Sequence, residues 1–150
     1  MSRSRWIIVA VTLVVLAAGG ARALAGGAAV REAGEYAIHY NAMPADHLDA
    51  ELAERYGLPH SSDRCVITVA VVDRSSGQAQ PAMRIMASAT WPDGRMQHVD
   101  MRQVKDDGGV YYVGDVPIGA GGTLSFKVDV RPGSSATPQT IRFSRSFGRP

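Results

Sequence analysis

Cysteine is nearly absent: Cys65 stands alone among 150 residues. A chain with one cysteine closes no internal disulfide, so its stability has to come from a hydrophobic core. Zinc coordination lacks its usual pattern, because there is no Cys pair and the four histidines never fall in a His-x-x-x-His spacing. No Gly-x-Ser-x-Gly elbow occurs. The glycines at Gly26-Gly27 and Gly119 to Gly122 lack the Lys-Ser/Thr of a phosphate loop. Aromatic residues are only 7% of the chain and are scattered, which leaves no stacking platform for nucleic acid. His60-Ser61-Ser62-Asp63 holds the side chains of a hydrolase triad, but triad members converge from separate elements, and four consecutive residues read as a polar loop. Asp106-Asp107-Gly108-Gly109 lacks the alternating acids and distal Glu of a calcium loop and reads as a hairpin turn. Neither enzymatic activity nor a cofactor is expected.

Only one long apolar run is present, and it lies at the N-terminus. Arg3 and Arg5 precede Trp6 to Ala18, Gly19-Gly20 break the run, and Ala21-Arg22-Ala23 and Ala23-Leu24-Ala25 offer overlapping small-x-small cleavage sites. This is the layout of a secretory signal peptide over residues 1–25, with cleavage after Ala25 preferred to Ala23. The run is shorter than the ~20 residues a spanning helix wants, which disfavours the alternative of a retained anchor. The expected location is the periplasm, with the membrane met only during export. Processing also changes the electrostatics. Removing three of the 16 basic residues and none of the 14 acidic ones turns the formal net charge from +2 to −1. The apparent basicity that would invite a nucleic-acid partner disappears.

After a flexible leader at 26–33, period-two alternation between turn clusters marks half-buried strands over a domain spanning 34–148. Tyr36, Ile38 and Tyr40 begin it. Cys65 to Val72 is nearly all apolar and reads as a central strand, with Cys65 buried in it. Met83 to Ala89, Gln97 to Gln103, Val110 to Val116, Leu124 to Arg131 and Ile141 to Ser144 complete the set. Pro92-Asp93-Gly94 supplies a hairpin turn. One segment differs: Asp49 caps a short helix to Tyr56, with Leu48, Leu52 and Tyr56 on one face and Gly57 at its end. The fold class is all-β: an immunoglobulin-like antiparallel β-sandwich of about seven strands with one short helix near the N-terminus.

Such a domain acts by binding, and the expected partner is a protein or envelope component. Its loops Pro44 to His47, Leu58 to Arg64 and Ala89 to Arg95 are candidate contacts. The alternative is copper. Met43, Met83, Met86, Met96 and Met101 with His39, His47, His60 and His98 provide ligands suited to Cu(I). Met96 and His98 fall on one face of a strand and form the speculative metal pair, whereas Met83 and Met86 fall on opposite faces. No other catalytic, cofactor-binding or metal residue is assigned.

The order of motifs resembles a family of short exported proteobacterial proteins, the domain of unknown function numbered 4426. The resemblance runs from about Gly34 to Phe147. It rests on Tyr36, Tyr40-Asn41, Leu48 through Ala53 leading to Tyr56-Gly57, Thr90 to Gly94, Val110-Tyr111-Tyr112, Leu124-Ser125-Phe126, Ile141-x-Phe143 and Phe147. Thr68 stands where the family pattern has Asn, and His60-Ser61-Ser62 replaces a more basic loop. The resemblance implies a periplasmic sandwich-like domain and carries over no activity.

Overall fold

The computed structural model describes residues 29–106 and 109–148. The signal peptide at 1–25, with its cleavage after Ala25, and the turn residues Asp107 and Gly108 lie outside the described residues.

Two sheets face each other. The larger, sheet A, contains β1 (Ala29–Ala33), β2 (Tyr36–Pro44), β3 (Arg64–Asp73), β4 (Ala79–Gln80), β7 (Arg102–Asp106) and β8 (Gly109–Pro117), in the order β1-β2-β3-β4-β8-β7 with β3 also bonded to β8. Sheet B contains β5 (Arg84–Thr90), β6 (Met96–Val99), β9 (Gly122–Arg131) and β10 (Gln139–Phe147), in the order β10-β9-β5-β6. The alternation read from the sequence decides which side chains meet between them. Ile38, Cys65, Ile67, Val69, Val71, Tyr112 and Val116 point inward from sheet A, and Ala87, Ala89, Leu124, Phe126, Val128, Val130 and Ile141 from sheet B. This is an all-β sandwich.

The helix α1 (Ala50–Tyr56) forms as its sequence dictates. The Asp49 carboxylate accepts from the backbone N–H of Glu51 and Leu52, at 2.9 and 3.2 Å, and Gly57 ends it. A second core cluster of Ala45, Leu48, Ala53 and Leu58 covers Val66 of β3 and Val113 of β8 on the outer face of sheet A. That cover explains why β3 is apolar on both faces.

Ten strands form among the described residues where about seven were expected, for three local reasons. First, Ala29–Ala33 does not belong to a flexible leader: it pairs with β2 from Ala33↔Tyr36 to Ala29↔Tyr40. Gly34, at φ 62, makes the tight reversal that a β-carbon would strain. Second, Ala79–Gln80 adds a short strand on β3 and a parallel bridge to Gly109, so the sandwich is not wholly antiparallel. Third, the strand expected from Gln97 to Gln103 divides at Asp100-Met101. β6 pairs with β5 in sheet B, and β7 pairs with β8 in sheet A. Val99 and Met101 both still face the common core, so the alternation passes through the crossing unbroken.

Candidate binding surface

The two outer faces of the sandwich differ. That of sheet A is partly closed by α1 and its apolar cluster, and His39, Ala70 and Tyr111 on the same face are also buried. On sheet B, no described element lies over the outer face. Its side chains form a lattice fixed by register. Ser146 pairs with Thr123. In the next row Ser144, Ser125, Thr90 and Met96 lie side by side, followed by Arg142, Lys127, Ser88 and His98. Thr140, Asp129 and Met86 form the fourth row, and Arg131 opposes Arg84 in the fifth. Neighbours in a row are ~4.8 Å apart between strands, and rows are separated by two residues of rise, ~6.6 Å.

The lattice has a chemical gradient. At one end hydroxyls pair across strands, Thr123 with Ser146 at 2.8 Å and Ser125 with Ser144 at 3.2 Å. Then come two like-charged cross-strand pairs, Lys127 opposite Arg142 and Arg131 opposite Arg84. Asp129 is the acid between them. The Thr140 hydroxyl donates to it at 2.6 Å, and that bond, with a smaller contribution from Lys127 at 3.2 Å, holds its pKa below the usual carboxylate value. Like charges directly opposite each other disfavour strand pairing, so local stability does not account for these two pairs.

The β5–β6 side of the face carries Met96, His98 and Met86 in three successive rows. Met96 and His98 lie two residues apart on one face of β6, as expected from the sequence, opposite Thr90 and Ser88. Met86 lies diagonally across from His98, a neighbour that only the strand register reveals. Met86 and Met96 are exposed, at 44% and 59%, and so is Met83 at 60%, just before β5. The Arg84 guanidinium sits 3.1 Å from the Met86 sulfur. The other candidate ligands are dispersed: Met101 packs against the core, Met43 is half-buried in β2, His47 is exposed at the end of a 3-10 turn (Ala45–His47) and His60 is exposed on a separate loop. Among the described residues no three His, Cys, Asp or Glu side chains converge.

The three candidate loops gather at one end of the sandwich. Pro44 pairs with Cys65, the Ile118 N–H donates to the Asp63 carbonyl at 2.7 Å, and the Trp91 indole N–H donates to the Ile118 carbonyl at 3.3 Å. Trp91 is therefore buried, with the Arg95 guanidinium 4.7 Å from its ring centroid. In the polar loop, Ser61 bonds Asp63 and His60 is exposed.

Edge pairing is discouraged on β10, the open edge beside β9. Alternation turns Arg145 toward the sandwich interior between Phe143 and Phe147, and an inward charge on an edge strand disfavours addition of another strand. The face of sheet B is thus better suited to a partner than its β10 edge.

Two buried groups carry testable consequences. Cys65 is fully buried, and burial pushes its thiol up to about 12, against a smaller opposing effect of a hydrogen bond from the Val116 backbone. A thiol reagent is expected to leave the folded protein unlabelled and to modify one thiol in denaturant; labelling of native protein at the unfolded rate would contradict this. His39 is 8% exposed, and its Nδ1 is buried without a hydrogen-bond partner. Burial lowers its pKa from 6.5, so the unfolded chain binds the proton more readily than the folded one. Its contribution to stability is complete above pH 6.5 and falls as pH drops through 6.5 toward the lower folded value. His39→Leu should flatten urea-measured stability across this mildly acid window. An unchanged slope would show that other groups cause the decline.

A profile of the family described as Domain of unknown function (DUF4426) matches residues 30–148. A crystal structure of a DUF4426 family protein from Pseudomonas aeruginosa PAO1 superposes with a TM-score of 0.70 at 25% identity, covering 82% of this chain and 96% of that one. A copper-bound variant of FetP from uropathogenic Escherichia coli strain F11 gives 0.56 at 13% identity, covering 83% and 96%. FetP from the same strain as isolated gives 0.54 at 11%, covering 83% and 95%. The FetP likenesses establish a shared fold. Curated protein sequences gave no match.

Proposed function

The chain belongs to the DUF4426 family, and for this member we propose a binding role without catalysis, in which the outer face of sheet B takes a protein or envelope component after export. The observation that carries this reading is the placement of like charges directly opposite each other in two cross-strand positions, Lys127–Arg142 and Arg84–Arg131, on that uncovered face. A surface selected only for stability would set opposite charges there. A partner of opposite charge relieves the repulsion. The periplasm is the proposed compartment, on the strength of the N-terminal export signal; among the described residues no helix is long and apolar enough to cross a membrane. The test is photo-crosslinking in cells from probes replacing Ser88 or Ser144 on the sheet B face and Glu54 on α1. Adducts are expected from the first two positions and not from Glu54. Adducts independent of position, or confined to Glu54, would end the reading.

Copper is a second reading, favoured by Met96 and His98, neighbours on one face of β6. A thioether and an imidazole are donors suited to Cu(I), and FetP, with the same fold, has been seen copper-bound. Met86, two rows from Met96 and against the Arg84 guanidinium, stands outside this pair. An anaerobic Cu(I) titration against a competing chelator is expected to give sub-micromolar affinity that Met96→Leu with His98→Ala abolishes. Micromolar or weaker binding, or indifference to the double substitution, would reject it.

A further inference from the structure

The outer face of sheet B combines two properties that a protein surface seldom brings together on one flat area. The first is cationic: Arg84, Lys127, Arg131 and Arg142 against the one acid Asp129, in a processed chain whose formal net charge is −1. The second is apolar. Of the four large hydrophobic side chains exposed among the described residues, Val30, Met83, Met86 and Met96, two, Met86 and Met96, lie on this face. Lys127 and Arg131 are four residues apart on one side of β9, about 13 Å, so the two cation pairs do not reach one small anion together. An array of anions engages both.

Between the strands, a shallow depression of about 290 Å³ is lined by Lys127, Arg142, Ser125, Ser144 and Thr90 together with Phe126 and Phe143. Two cations and three hydroxyls are the donor set for a phosphate oxygen. Methionine is unbranched and flexible, so Met86 and Met96 can settle among lipid chains at the headgroup boundary without a fixed pocket.

We infer that this face seats on an anionic lipid bilayer, with the Lys127–Arg142 depression holding a headgroup phosphate, the Arg84–Arg131 pair meeting a neighbouring headgroup, and Met86 and Met96 entering the interface. The inference rests on the proposed binding face and names its partner, so the membrane is a working surface as well as the barrier crossed during export. It does not rest on the copper reading, which uses the Met96 sulfur lone pair with His98, whereas membrane seating uses only the apolar bulk of the methionines.

The test uses protein exported by cells expressing the full chain, its intact mass confirming removal of the signal. Co-sedimentation is measured with vesicles of phosphatidylcholine alone and with about one-third phosphatidylglycerol. Binding is expected to the anionic vesicles only, and to weaken with added salt. Each basic residue lost should lower partitioning about fivefold, so Arg84→Gln, Lys127→Gln and Arg142→Gln together should lower it about 100-fold. Met86→Ser with Met96→Ser should also weaken it, while Met86→Leu with Met96→Leu should retain it. All these side chains point to solvent, and an unchanged urea midpoint confirms that each variant is folded. Equal binding to both vesicle types, or no loss in the folded triple variant, would overturn the inference. Displacement by millimolar inorganic phosphate would likewise overturn it, reassigning the site to a lone phosphate. Protein crosslinks from Ser88 and Ser144 without any vesicle binding would overturn the lipid partner and leave the binding face standing.

Discussion

Replacing Phe126 with Ala is expected to lower stability by about 3–5 kcal/mol, a large part of what a domain of this size has. Phe126 is 2% exposed and sits inward at the middle of β9. Its ring stacks on Phe143 at 5.1 Å and meets the edge of Phe147 at 6.5 Å. Phe143 in turn contacts Tyr40 of sheet A at 4.9 Å, so the aromatic file ties one sheet to the other. The cross-strand neighbour on β5 is Ala89, too small to move into the space a lost phenyl ring would leave. The cavity therefore stays largely open, which places the cost at the upper end for such truncations. Urea denaturation should show a lower midpoint with an unchanged slope. A loss below about 1 kcal/mol would show that the two sheets do not depend on this contact.

Gly114→Ala is the second large effect, and its sign separates local preference from packing. In a strand interior, Ala is intrinsically better than Gly by about 0.5–1 kcal/mol, so propensity alone makes the change stabilising. Gly114 lies on the inner face of β8 beneath the crossing from β6 to β7. A β-carbon there would stand 2.6 Å from Val99 Cγ1, 2.9 Å from the Asp100 carbonyl oxygen and 2.9 Å from the Met101 sulfur. Met101 can rotate away, but the Asp100 backbone is held between two strands. The expected result is destabilisation by about 1–3 kcal/mol, through displacement of the crossing. A rise in the unfolding midpoint would mean that the crossing does not rest on β8.

Much of this architecture was readable residue by residue, and the exceptions have physical causes. Leu124 to Arg131 alternates without a break, and the structure buries each apolar member of it. Asp49 and Gly57 bracket α1 because capping chemistry is local. The division of Gln97 to Gln103 was hidden because a chain passing from one sheet to the other across a shared core keeps its inward alternation. β1 was hidden because Ala29-Val30-Arg31-Glu32-Ala33 shows no apolar–polar alternation, and only pairing with β2 defines it. Tyr111 and Tyr112 point to opposite faces of β8, yet both are buried, because the outer face of sheet A is itself partly covered.

The candidate surface was the least legible feature. Met96 and His98 share a strand, so their common side followed from period two. Met86, Lys127–Arg142 and Arg84–Arg131 come together only through the register of separate strands, which no single segment encodes. The same holds for the three loops at the Trp91 end, which the Asp63–Ile118–Trp91 hydrogen bonds draw together.

The central claim is that the outer face of sheet B is the surface occupied in the cell. The burial of Cys65 permits a direct measurement, since a cysteine introduced on the surface is then the accessible one that a small thiol reagent reads. Ser125→Cys on the sheet B face and Glu51→Cys on α1 would be labelled in intact cells and as purified protein. The account predicts that Ser125→Cys is protected in cells and freely labelled once purified, while Glu51→Cys reacts alike in both. Equal labelling of Ser125→Cys in the two settings, or protection confined to Glu51→Cys, would contradict it.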